Sequence, residues 1–220
     1  MVFYSMSKLP NQFFYSKKED RLNVISHGFG FVLSIIGLAF LINKGLQDFN
    51  ITYFISLLIY GLSLSTMYIA STLYHNSKTA SSRYNLRMFD MISIYILIAG
   101  SYTPFTLILL KDNQGWLLFS IIWLLAFFGI AWKVFTVGKY NLVTTSLYIF
   151  MGGLWLFFYE SFVNQIPSDA LWWITAGCLT YLAGVIFYLL DNKLKYNHFI
   201  WHLFVLAASG CHYISIYFYI

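Results

Sequence analysis

Hydrophobic positions in this chain gather into seven long runs divided by short polar connections. The runs cover roughly residues 24–43, 51–74, 89–110, 116–136, 142–160, 170–190 and 198–219, each close to the ~20 residues that cross a bilayer as a helix. A helix satisfies its own backbone in lipid, so the pattern predicts an all-α integral membrane protein, a seven-transmembrane-helix bundle. Residues 24–220 form one membrane domain behind a polar leader, 1–23. No repeat or low-complexity segment interrupts it. Pro104, behind Gly100, Ser101, Tyr102 and Thr103, predicts a kink in the third helix. Gly152 and Gly153 predict close helix packing in the fifth.

Charge then orients the bundle. Of the 13 Lys and Arg, only Lys44 and Lys111 fall on one side of the predicted topology. The other side holds the four of the leader (Lys8, Lys17, Lys18, Arg21), then Lys78, Arg83, Arg87, Lys133, Lys139, Lys193 and Lys195. Basic residues stay on the cytoplasmic side, so the N-terminus is expected in the cytoplasm and the C-terminus outside. Lys133 is placed in the last turn of the fourth helix with its amine snorkelling inward.

Composition narrows the class further. Charged residues are only 10% and hydrophobic ones 60%, against about 25% charged in a soluble domain. The net charge of +5 does not point to nucleic acid, because the basic residues sit in the gaps between apolar runs. Cys178 and Cys211 stand alone inside apolar runs and imply neither a disulfide framework nor a thiolate metal site. The first run is too long for a signal-peptide core and no small-residue cleavage pattern follows it, so it is read as the first membrane helix.

Chemistry enters with the histidines. His198 and His202, one turn apart at the head of the last run, share a helix face and can hold one metal ion. The topology brings His75, at the end of the second helix, and Asp90, opening the third, to the same cytoplasmic depth. Ser71 lies one turn from His75 on the same face. Three imidazoles with an open fourth position describe a catalytic zinc site. Zinc lowers the pKa of its water to about 7. Asp90 would take that water's proton, and Ser71 would donate a hydrogen bond to it or to a developing oxyanion. The residues leave open whether Asp90 instead ligates the metal or caps the third helix, and whether Ser71 merely packs. His212 is ten residues past His202, about 15 Å deeper, and too far for the same ion. His27 is read as an interfacial residue, with a role beside the metal or as a fourth ligand left open. Glu19 and Asn23, a turn apart, cap or brace the same end of the bundle.

Taken together, these pieces resemble the hemolysin III family of bacterial membrane proteins, which belongs with the progestin and adipoQ receptors and more distantly with alkaline ceramidases. The resemblance rests on Glu19, Asn23, His27 and Gly28; on Ser71-Thr-Leu-Tyr-His75; on Arg87-Met-Phe-Asp90 with Ile94, Tyr95 and the run Ala99 to Pro104; and on His198-Phe-Ile-Trp-His202 through to His212. It spans nearly the whole chain. It implies seven helices, a cytoplasmic N-terminus, a bacterial inner-membrane location, and zinc held by His75, His198 and His202 with Asp90 near the zinc-bound water and Ser71 in the same set. Members often carry His after the motif acid, where this chain has Met91, a position outside the ligand set.

The expected function is a zinc-dependent hydrolase acting on an amide or ester bond of a membrane lipid, or a related role in membrane-lipid homeostasis. A zinc-stapled receptor or regulator that senses lipid is the alternative. A cytolytic pore is the third reading, suggested by the family label. It is disfavoured because the outer halves of the helices carry little charge along a membrane-crossing line.

Overall fold

The computed structural model describes residues 15–48, 50–110, 113–136, 139–191 and 193–220. Lys8, Lys111 and residues 1–14 of the expected leader lie outside the described residues. Among the described residues, eight α-helices follow in order: α1 Lys17–Gln47, α2 Ile51–Asn76, α3 Ala80–Pro104, α4 Asn113–Phe135, α5 Asn141–Gly152, α6 Tyr159–Gln165, α7 Ser168–Leu189 and α8 Asn197–Tyr219. Among the described residues there is no strand. A π-helical turn, Phe105–Leu109, extends α3, and a 3-10 turn, Leu154–Phe158, joins α5 to α6. Counted this way, seven helical units are long and apolar enough to span a membrane, and the chain is a multi-pass membrane protein. Consecutive spans pack side by side, and α8 closes the ring on α1.

The first three helices start where side chains take up orphaned backbone N–H groups. Ser16 and Glu19 form a capping box that opens α1, with Glu19 N–H donating to Ser16 Oγ at 3.2 Å. Asn50 caps α2 and Thr79 caps α3. Two expectations shift as a result. The first helix begins at Lys17, seven residues before its apolar run. The third begins at Ala80, so Asp90 lies well inside α3 and does not cap it. In both cases a polar segment continues the helix beyond the apolar stretch, so hydropathy alone underestimates its length.

Burial in α1 inverts the usual soluble pattern. Asn23, Ser26, His27, Gly30, Ser34, Gly37, Leu41 and Gly45 face inward, while Phe29, Val32, Ile36 and Phe40 point out to where lipid would lie. With apolar solvent outside, helices gain from close approach of small residues and from polar contacts between them. Gly30 shows how close: a Cβ there would stand 2.5 Å from Tyr68 Cε1 on α2 and 2.8 Å from Leu206 Cδ2 on α8.

The two predicted irregularities take different forms. Pro104 ends the regular part of α3, and the π turn follows it. The hydroxyls of Thr103 and Thr106 bond back to the carbonyls of Ala99 and Tyr102 at 2.9 and 3.0 Å. The Gly152–Gly153 pair does not mediate close packing, since a Cβ on Gly152 would meet nothing within 4 Å. It instead ends α5, and Tyr102 Oη donates to the carbonyls of Met151 and Gly152 at the break. Lys133 is fully buried in the last turn of α4, its amine directed at the Lys139 carbonyl and Thr144 Oγ1, both at 3.4 Å.

These contacts separate two glycine substitutions. Gly30→Val should lower stability by about 1–3 kcal/mol by overpacking the α1–α2–α8 contact. Gly152→Ala should leave it unchanged or raise it by up to about 1 kcal/mol. Thermal unfolding of the purified protein in detergent distinguishes them.

Candidate metal centre

The second turn of α8 and the last turn of α2 meet at one end of the bundle. His75, His198 and His202 are 2%, 8% and 1% exposed, and one ligand atom from each lies within 4.8 Å of the other two. Their ring centroids form a near-equilateral triangle, with 5.0 Å between His75 and His198, 5.1 Å between His75 and His202, and 4.8 Å between His198 and His202. The structure therefore brings together the three imidazoles picked out of the sequence.

What the other ring nitrogen does decides whether such a cluster can bind a cation. His75 Nδ1 lies 3.1 Å from Asp20 Oδ1. His198 Nδ1 lies 3.2 Å from Asp191 Oδ2 and 3.0 Å from Tyr15 Oη. Tyr15 itself donates to Asp191 Oδ2 at 2.6 Å. Burial, reinforced by Tyr74 and Asp191, pushes the Tyr15 phenol well above its ordinary pKa, so it keeps its proton and acts as donor. Burial also disfavours the Asp191 carboxylate, but hydrogen bonds from His198 and Tyr15 outweigh this and hold its pKa below the usual range. His202 Nδ1 lies 3.1 Å from Ser26 Oγ, whose proton is committed to the Asn23 carbonyl at 3.0 Å. The Ser26 oxygen must then accept from His202.

With Nδ1 of each ring facing Asp20, Asp191 or Ser26, the neutral Nδ1–H form of each imidazole would present Nε2 as a lone-pair donor. His75 Nε2 is buried and has no hydrogen-bond partner among the described residues. A buried acceptor in that state is costly unless something electrophilic meets it. Neutral imidazoles braced at Nδ1 by carboxylate or hydroxyl are the donor set of a His-ligated metal, so these residues fit a bound cation.

Asp90 and Ser71 stand beside the cluster. Ser71 is buried beside Asp90. Asp90 and His198 share the wall of a cavity of about 140 Å³ with Tyr15, Tyr74, Arg87 and Tyr188. The α5 residues Asn141 and Thr145 complete its rim. A space of this order is about that of one benzene molecule.

The outlying histidines separate. His27 is not an interfacial residue. It is 3% exposed and stacks on His202 at 3.5 Å and 9°. Neither of its ring nitrogens has a hydrogen-bond partner among the described residues, and it stays outside the three-nitrogen cluster. His212 stands apart as expected, its Nε2 3.9 Å from Cys178 Sγ, with its ring packed on Gly177. Glu19 braces this end of the bundle: beyond its capping role it accepts from Tyr196 N–H at 2.8 Å. Asn23 Nδ2 lies 3.3 Å from His75 Nδ1.

Sequence reasoning missed Asp20, Asp191, Ser26 and Tyr15. Asp20 was overlooked beside the capping Glu19, and Asp191 was overlooked as a connection charge. Both are acids at the depth already assigned to the histidines, which is the signal that could have found them.

The family model described as Haemolysin-III related matches residues 15–213, almost all of the described chain. The chain belongs to the haemolysin-III related family. Two bacterial members are similar over 92% of this chain: "Hemolysin-3" of Bacillus cereus, 37% identical and matched over 92% of its own length, and the "Hemolysin-3 homolog" of Bacillus subtilis, 36% identical over 94%. The similarity reaches the human "Monocyte to macrophage differentiation factor", 31% identical over 92% of this chain and 84% of that protein. The resemblance expected from the motifs is therefore borne out, and this haemolysin-III related chain carries a three-histidine cluster able to hold a metal ion.

The geometry separates ligand from neighbour. His202→Ala should abolish metal retention, whereas His27→Leu should keep it despite the stacked contact. Elemental analysis of the two purified proteins checks this.

Proposed function

We propose that this haemolysin-III related protein is a zinc-dependent intramembrane hydrolase that cleaves an amide or ester bond of a membrane lipid from the cytoplasmic leaflet of the bacterial inner membrane. The observation that carries the reading is the clustering of His75, His198 and His202 inside an apolar bundle, with His198 also lining a polar cavity that Asp90 shares. His75, His198 and His202 would hold the ion; imidazole also suits copper, iron and nickel, and zinc is favoured because three His with an open position is its hydrolytic arrangement. When bound, zinc supplies Lewis-acid polarisation of a carbonyl and acidifies a water.

The chain's own residues do the rest. Asp90 takes a proton from the attacking water and passes it to the leaving nitrogen or oxygen. Ser71, beside Asp90, would keep that carboxylate oriented by a hydrogen bond. Tyr15, Tyr74 and Tyr188 wall the cavity with aromatic rings and limit water entry. The basic bias of the connections at this end supports a cytoplasmic depth, and the exposed apolar helix faces suit a substrate that arrives from the bilayer.

A regulatory reading draws on the human relative, whose name is that of a differentiation factor. There the metal would staple the bundle while lipid occupancy of the cavity sets the signal. A lytic activity, suggested by the name Hemolysin-3, would produce leakage of dye-loaded liposomes that persists without the histidines.

Asp90→Asn discriminates. Under the hydrolase reading it keeps about one ion per chain and loses about 100-fold or more in turnover of acyl-amide and acyl-ester probes in mixed micelles. Under the regulatory reading, the same variant keeps full activity in cells. A wild-type protein purified without stoichiometric metal would sink both.

A further inference from the structure

We propose that Asp20 and Asp191 are positioning residues of the metal centre, each locking one ligand imidazole in the metal-binding tautomer and setting how tightly the ion is held. The inference rests on the metal reading above and goes beyond it to residues outside the expected ligand and catalytic set. Asp20 Oδ1 is shared between His75 Nδ1 at 3.1 Å and Arg83 Nη2 at 2.7 Å. Arg83 is itself buried, and its Nη1 donates to the Ser77 carbonyl just beyond α2 at 3.3 Å. The guanidinium therefore ties the carboxylate of α1 to the end of the helix that carries His75. An ion pair serving only to join α1 and α3 would not need its oxygen placed on a ligand ring.

Asp191 repeats the arrangement from a different segment. Its Oδ2 is shared between His198 Nδ1 and the Tyr15 hydroxyl. The connection that carries it is closed by Asn197 Nδ2 donating to the Leu190 carbonyl at 2.9 Å. The same connection is tied to α1 through Glu19 and Tyr196 N–H. Two independent segments thus deliver a carboxylate to the outer nitrogen of a clustered imidazole, each with a second donor on the oxygen that the imidazole uses. Such a carboxylate raises the basicity of the inner nitrogen and fixes the ring, and its removal costs about 10–100-fold in metal affinity.

The test is zinc affinity by competition with a chromophoric chelator, together with the visible spectrum of the cobalt-substituted protein, on full-length wild type, Asp20→Asn, Asp191→Asn and Tyr15→Phe in detergent. Each Asn variant should bind zinc about 10–100-fold more weakly, with an altered cobalt spectrum; Asp191→Asn should retain the unfolding temperature of the metal-free protein, whereas Asp20→Asn, which removes the ion pair with buried Arg83, should lower it. Asp191→Glu should recover part of the affinity. Tyr15→Phe, which leaves both carboxylates in place, should lose less than about tenfold. Should Asp20→Asn not fold, Asp191→Asn and its Glu rescue carry the test. Wild-type affinity and an unaltered cobalt spectrum in the Asn variants that fold would overturn the inference while leaving the metal centre standing. A wild type that binds neither zinc nor cobalt would overturn the metal reading first, and the inference with it.

Discussion

Burying three imidazoles at the end of an apolar bundle is tolerable only because each ring N–H finds an acceptor. Asp20, Ser26 and Asp191 supply those acceptors. Because all three bond at Nδ1, the Nε2 atoms are left to one another and to whatever they enclose. Much of the surrounding architecture follows from that requirement. The early start of α1 at Lys17 brings Asp20 into helical register with Ser26, and the early start of α3 at Ala80 puts Arg83 where it can hold Asp20.

Lipid as solvent explains the remainder of the packing. Large apolar side chains gain nothing from moving from lipid to protein, so α1 turns its phenylalanines outward and its small and polar residues inward. Gly30 under Tyr68 and Gly184 against Trp201 and Phe204 are the close approaches this permits. Several of the polar groups that follow them inside find partners within the bundle: Tyr68 with Ser209, Tyr213 with the Gly37 carbonyl, Ser215 with the Ala170 carbonyl.

Much of this was legible in the sequence. The seven apolar runs mark the spans, and their ends group His75 with His198 and His202 and set His212 apart, as the structure does. Helix starts were not legible, because Ser16 and Thr79 cap polar extensions that hydropathy does not register. Gly152 and Gly153 were misread because a glycine pair marks either a close contact or a break, and only the neighbours tell which. The carboxylates behind the histidines were illegible for a related reason. The Asp191–His198 contact is set by how the connection before α8 folds back, and the Asp20–His75 contact by how α1 lies against α2. The sequence places His27 at the depth of the clustered histidines but does not show which way it faces, and the structure turns it inward onto His202.

The bond between Ser26 and His202 joins residues 176 positions apart, and that between Tyr15 and His198 joins residues 183 apart. In a chain inserted span by span from its amino end, His75 enters the bilayer early, yet two of its companions come with the last helix. The bundle must therefore pass through insertion with an incomplete set of donors. Loading of any ion would thereby be tied to completion of the protein: a chain that stalls before its seventh span lacks two of the three clustered imidazoles, and a filled centre would be evidence that both ends of the membrane domain have met.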